Sequence, residues 1–508
     1  MLIIVFGTCP NFVMAYCQGY DVGTNVEALE SSERKMEIRF KNGEDKESSW
    51  IFTYEDSFFS DSSYVYNHEL AKISLGFSLA AGTAPGSRIY WGEDGRDVGR
   101  QEYIKEIYEN LGFTKDEYYL YDVNLNNTGN YSALSIAEKD ISINGEEFTL
   151  VAVVFRGHGY GSEWASNFIL GNNNLYHEGF YETSKKAESL ILSYLSNLKS
   201  DKKIKLWTVG YSRGANIANI TTANLMKTLE DNLYMNLQLY KENIYSYTFG
   251  ASRGILTKDG FDFDEKSLEL FKNIFNILNP ADVIIRMPIA DWGFERYGTD
   301  MTFSYPDESK MSSEQLAHYL AVSDIYMEIT GEEYLVYEAK SHITRADEIE
   351  KLMLAMIPNV YFYERNYQKI AAEIAVLFNT QVPNKNNSGT WEEGSLKDRF
   401  FYRYGSKGRT AYLKYSIYLT VYLARVNPLI NLLRINSNDV FSTIVVFMAL
   451  CDLTGFKLDN QTEGFLQQAV KIFNIYTLFS SDNIFVTHYP ESYIAWLFSQ
   501  EDPKLLFL

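Results

Sequence analysis

Residues 206–219 read LWTVGYSRGANIAN. The first four are apolar enough for a short buried strand, and the last six, lined with small residues, open a helix. Between them Gly210, Tyr211, Ser212, Arg213 and Gly214 form G-x-S-x-G. A serine on so sharp a strand-to-helix turn is held in strained backbone geometry with its hydroxyl exposed. The flanking glycines avoid the collisions a Cβ would make with the neighbouring strand and helix.

The pattern alone is weak: with glycine and serine each near 7% of residues, it arises by accident in roughly one chain in six of this length. A second copy occurs at Gly250, Ala251, Ser252, Arg253 and Gly254, and a near match at Gly76, Phe77, Ser78, Leu79 and Ala80. Flanks separate the three. Ser252 runs into ILTKDGFDFD, a turn-rich acidic loop, and Ser78 sits within helical periodicity. Ser212 alone has strand before it and helix after it.

Outward from this turn, strands and helices alternate: a buried strand at 148–155, helix 181–198, strand 204–209, helix 213–229, strand 244–249, helix 265–273 and strand 274–278. Such alternation implies an α/β fold with a mostly parallel central sheet covered by helices. Upstream, 34–41 and 48–54 read as strands and 67–81 and 100–112 as helices; then come YYLYDV at 118–123 and, up to 143, a helix and a strand. Beyond about residue 305 the pattern turns mainly helical. The expected organisation is an N-terminal segment at 1–20, the α/β core at 21–310, an inserted helical cap at 311–480, and a return to the core at 481–508. There is no internal repeat.

The chain has 508 residues, 46% of them hydrophobic, enough to bury one large core or two ordinary ones. Its formal net charge of −20 opposes nucleic acid and anionic membranes as partners of the chain as a whole. Transient contact with a lipid interface through apolar groups stays open. Cys9, Cys17 and Cys451 are too few for a disulfide framework and have no metal-ligand spacing. No later stretch carries eighteen uninterrupted apolar residues, so no spanning helix is expected. Residues 1–16, MLIIVFGTCPNFVMAY, resemble a signal-peptide core ending near Ala15, without a basic leader and with Pro10 and Asn11 interrupting it. The expected location is secreted or cell-envelope, with a cytosolic terminus as the alternative.

A serine hydroxyl becomes a nucleophile when a histidine takes its proton and a carboxylate holds the histidine's tautomer. In hydrolases built on this turn the chain order is serine, acid, histidine. Asp282 fits the acid, beyond a strand end after the turn Asn279, Pro280, Ala281. Order leaves His318, His342 and His488 for the base. His318 and His342 lie in charged, helical surroundings, where a solvated face is expected. His488 lies in FVTHYP, a loop feeding the helix ESYIAWLF. His342 stays open, because His488 demands a long insertion between acid and base. Two donors must also meet the developing oxyanion: the Arg213 amide, directly after the nucleophile, and the amide of His158 in the loop after Phe155.

Several segments together resemble the class 3 (fungal-type) lipases of the α/β-hydrolase superfamily, and more closely a bacterial branch of that family. VVFRGHG at 153–159 is similar to the family's oxyanion strand and loop, HEGF at 177–180 to its H-x-G-F helix start, and VGYSRGANIAN to its elbow. YTFGASRG, NPADVIIRMP, WGFERYG and HYPESYIAWL resemble the following strand, the acid loop, a branch-specific segment and the histidine segment. The resemblance covers roughly 130–300 and 484–498. It implies Ser212 as nucleophile, Asp282 as acid, His488 as base, the amides of His158 and Arg213 as oxyanion donors, and neither metal nor organic cofactor. Tyr211 departs from the pattern, which usually has histidine before the serine. The implied activity is hydrolysis of lipid acyl esters. The alternatives are a phospholipase A1, a short-chain carboxylesterase, or a hydrolase-fold binding module with an idle site.

Overall fold

In a computed structural model of the chain, the description covers residues 33–43, 46–82, 101–121, 132–157, 165–171, 176–230, 237–257, 269–305, 311–332, 336–378, 380, 382–384, 391–392, 394–426, 438–455 and 485–507. The N-terminal segment 1–20, His158, and residues 265–268 of the helix expected at 265–273 lie outside these. An antiparallel hairpin, β1 (Arg34–Lys41) and β2 (Glu47–Tyr54), is followed by α1 (His68–Ala80) and α2 (Glu102–Leu111). Next come β3 (Lys115–Tyr119), β4 (Leu134–Ile143), β5 (Glu146–Phe155), α3 (Glu178–Asn197), β6 (Lys203–Tyr211) and α4 (Arg213–Glu230). β7 (Leu239–Phe249), β8 (Ile274–Leu278) and β9 (Thr299–Thr302) complete the main sheet.

That sheet has seven strands in the order β9-β8-β7-β6-β5-β4-β3. The pairs from β9 to β5 are parallel, and β5-β4 and β4-β3 are antiparallel. This is the expected mostly parallel α/β sheet. Between 132 and 143 the described chain is one strand from residue 134, with no helix. β5 reads as an unbroken apolar run because both of its faces are covered: Leu150, Ala152 and Val154 enter one core, Val151, Val153 and Phe155 the other. α3 and α4 pack in the second core; α1, α2 and the hairpin pack in the first.

α1 is buried nearly all round, as a helix wedged between a sheet and a hairpin must be. Its start is set by Asn67, whose side chain accepts the Leu70 N–H at 3.0 Å. Leu70, Ile73, Leu75 and Phe77 each contribute on the order of 1.5–3 kcal/mol by leaving water.

The helical half continues with α5 (Ser313–Thr330), α6 (Val336–Met356), α7 (Val360–Asn366), α8 (Gln368–Phe378), α9 (Leu396–Val426) and α10 (Asn438–Thr454), and α11 (Pro490–Phe498) returns to the sheet. α5, placed with the cap from residue 311, is part of the main core: Tyr319, Val322 and Tyr326 are buried there with Trp496 of α11. His318 is likewise buried, edge-on to Trp496, and not on a solvated face. The helices with cores of their own begin at α6. α6 packs Ala346 and Ile349 on Val283, and α8–α10 share a separate cluster around Phe400 and Leu450.

Candidate active site

Ser212 joins β6 to α4 with φ of 54°, in the left-handed region that side chains other than glycine rarely adopt. Backbone bonds hold it there. Its N–H donates to Phe249 O on the adjacent strand at 2.8 Å, and its carbonyl accepts the N–H groups of Ala215 and Asn216 at 3.0 and 3.3 Å. A Cβ on Gly210 would stand 2.3 Å from Gly214 O, one on Gly214 2.5 Å from Phe155 O, and one on Gly157 2.1 Å from Tyr211 O. These neighbours are backbone and cannot yield. The other two serines have no such setting: Ser78 donates to Leu75 O inside α1, and Ser252 is buried, accepting Asn216 Nδ2 at 2.8 Å.

His488 ends a single helical turn, Val486–His488, immediately before α11. Its Nε2 lies 2.8 Å from Ser212 Oγ and its Nδ1 2.6 Å from Asp282 Oδ2. A carboxylate only accepts, so Nδ1 carries the proton and Nε2 accepts from the serine hydroxyl. Asp282 is fully buried. Its Oδ1 accepts the Ile284 N–H at 2.8 Å, and its Oδ2 also accepts the Tyr493 hydroxyl at 2.9 Å. The acid loop and the histidine loop are tied directly. Asn279 Nδ2 donates to Thr487 O at 3.0 Å, and Thr487 Oγ1 donates to Ala281 O at 3.0 Å.

Thus three expected residues from distant segments are in contact. Arg213 is the first residue of α4, beside Ser212. The open alternative, His342, falls within α6, and its side chain lies outside the described residues. Tyr493 escaped the sequence reading, and Asn279 was read there only as a turn residue. A tyrosine five residues past the histidine, inside an apolar helix, was the only signal for the first.

Residues 150–292 match the family described as Lipase (class 3). Over that segment the chain is similar to the class 3 lipase family. The class 3 segment takes in Ser212 and Asp282 and ends before His488. Among solved structures the chain is similar to the mono- and diacylglycerol lipase of Aspergillus oryzae, at 17% identity over 49% of this chain and 85% of that one, with a TM-score of 0.30. It is also similar to the Rhizomucor miehei triacylglyceride lipase, at 18% identity over 39% and 67% with a TM-score of 0.25. No curated protein matches the chain in sequence.

Tyr211, at the position where the class 3 pattern usually has histidine, is buried under the histidine loop. Its hydroxyl donates to His488 O and its ring stacks on the imidazole at 5.4 Å between centroids. Tyr211→Phe keeps the stacking and leaves that carbonyl without its donor. The expected cost is about 1 kcal/mol of stability, with a larger loss in kcat than in KM. Urea unfolding and steady-state kinetics on one soluble ester measure both.

His177, the first residue of the HEGF segment, is wholly buried. It donates from Nε2 to Asn167 O at 3.1 Å, and its Nδ1 has no partner among the described residues. Burial pushes its pKa down to about 3, and that of His318 to about 4. Both stay neutral in the fold but take up a proton in the unfolded chain below about pH 6.5. The unfolded state therefore binds more protons, and stability falls as pH drops from about 6.5 towards 4. The urea midpoint is expected to decline through that window, and His318→Phe to make the decline shallower.

Proposed function

We propose that this chain is a serine carboxylic ester hydrolase that cleaves acyl esters of lipids through an acyl-enzyme on Ser212. One observation carries the reading: an unbroken hydrogen-bond chain from Ser212 Oγ through His488 to buried Asp282. The class 3 lipase segment, for which a lipid is the family's substrate class, supports it. In this reading Oγ attacks the acyl carbon as its proton passes to His488 Nε2, and the imidazolium is stabilised by Asp282. The Arg213 amide at the start of α4 meets the oxyanion, together with the amide of His158, which lies outside the described residues. His488 then returns the proton to the leaving alcohol, and water repeats the cycle on the acyl-enzyme. Side chains and backbone amides supply every step.

In this reading the helices α6–α8 cover the site and form the acyl pocket. Those helices are fixed to the segments that follow β5 and β7. Arg253 donates to Glu350 at 3.2 Å, Tyr363 to Phe168 O at 2.9 Å, and the Gln368 side chain accepts the Leu170 N–H at 3.1 Å. The WGFERYG segment supports the bacterial branch of the family, and the apolar stretch LIIVF near residue 1 supports a secreted or envelope location. Mass spectrometry of the N-terminus from the native source tests the location. The activity is tested by fatty-acid release from emulsified triacylglycerol, phosphatidylcholine and a short-chain ester side by side. Release from triacylglycerol at a rate at least comparable to the others is the expected result. Hydrolysis of the short-chain ester alone would replace a lipase with an esterase.

A further inference from the structure

The acidic charge of the chain is not evenly spread. α9 carries seven lysines and arginines and one acidic residue in a chain whose net charge is −20. Beyond the break at Gly405, where φ is 56°, the helix is sharply two-faced. Ala411 is buried in the cluster shared with α8 and α10 and Leu419 is buried too, while Leu413, Ile417 and Val421 are 61%, 58% and 46% exposed. These three are spaced four apart and form one outward stripe. Exposed Lys407, Arg409 and Lys414 border it, and Tyr418 lies at its edge, 50% exposed.

We infer that the outer face of α9 is a docking surface for an anionic lipid surface. An apolar stripe bordered by lysine and arginine is how a helix lies in a membrane interface: its aliphatic side chains enter the acyl boundary while its cations meet the headgroups. Charge decides the occupant. α5 also exposes aliphatic side chains, Leu316, Leu320 and Met327, but carries no lysine or arginine. A neutral oil droplet would need only the aliphatic stripe; the basic border fits negative headgroups. α9 shares its core with α8, whose Gln368 accepts from the amides of Leu170 and Gly171, in the segment whose Asn167 accepts from the side chain of Arg213 beside Ser212. Docking through α9 would therefore hold that segment near the lipid. The inference adds a binding surface to the proposed lipid hydrolase and does not depend on catalysis.

The test is co-sedimentation of the full chain with vesicles of phosphatidylcholine alone, or of equal parts phosphatidylcholine and phosphatidylglycerol, at low and high salt. Hydrolysis of a soluble short-chain ester is followed alongside. Binding to the anionic vesicles that weakens with salt is expected. With each basic residue near the surface worth roughly fivefold in affinity, the triple variant Lys407→Glu, Arg409→Glu, Lys414→Glu should lose at least a hundredfold. Leu413→Ser with Ile417→Ser should also release the protein, and soluble-ester hydrolysis should be unchanged in both. The charge variant alters only exposed side chains, so it stays informative should the serine variant unfold. Equal binding to neutral vesicles, or anionic binding untouched by the charge variant, overturns the inference. So does a wild-type dimer that the variants dissociate without any vesicle binding, which would assign the stripe to a second copy docked through its acidic α5. Loss of soluble-ester hydrolysis in Ser212→Ala with vesicle binding retained separates the two proposals.

Discussion

Ser212→Ala is expected to lower kcat for ester hydrolysis by about a million-fold while leaving the protein folded. In the proposed function the size follows from the removal of the atom that bonds the acyl carbon: Oγ is the group 2.8 Å from His488 Nε2. Stability should hardly change. The strain at φ of 54° is a backbone cost that alanine bears as serine does, and the turn is fixed by the Phe249, Ala215 and Asn216 backbone bonds. The unfolding midpoint should stay within about 0.5 kcal/mol of wild type. Kinetics and urea unfolding on the same preparations check both. A variant retaining more than a thousandth of the activity would show that another group is the nucleophile.

Asp282→Asn is expected to cost about 10⁴-fold in kcat. Every neighbour of this carboxylate is a donor: the Ile284 N–H on Oδ1, and His488 Nδ1 with the Tyr493 hydroxyl on Oδ2. An asparagine has one accepting oxygen and must turn its NH₂ towards one side. Facing His488, it favours the tautomer with the proton on Nε2, which cannot accept from serine. Facing Ile284, it sets two donors against each other in a fully buried site, at a cost of about 1–3 kcal/mol. Hydrolysis should therefore fall steeply, with KM little changed. A loss below tenfold would remove Asp282 from the reaction.

The elbow was legible because three constraints coincide at it: an apolar strand before, small helical residues after, and glycines where a Cβ would strike backbone. Asp282 was legible from its place past a strand end, and His488 from chain order and the helix behind it. The role of α5 was not. Its buried face is His318, Tyr319, Val322 and Tyr326, all but the valine carrying polar tips that apolar periodicity undercounts, so the helix read as peripheral. Tyr493 was hidden for a related reason, since a tyrosine within an apolar helix looks like core until its hydroxyl is seen at Asp282. Tyr211 stood out as a departure from the family pattern, but its contact with the His488 carbonyl joins residues 277 apart and leaves no local trace.

The most direct test is labelling of the purified protein with a fluorophosphonate, followed by peptide mapping, with Ser212→Ala and His488→Ala in parallel. The proposed function requires a single adduct on Ser212 in wild type and none in either variant. Persistent labelling of His488→Ala would return His342 as the base. A folded wild-type protein that takes no label, with or without detergent, would contradict the hydrolase reading and leave a hydrolase fold used for binding.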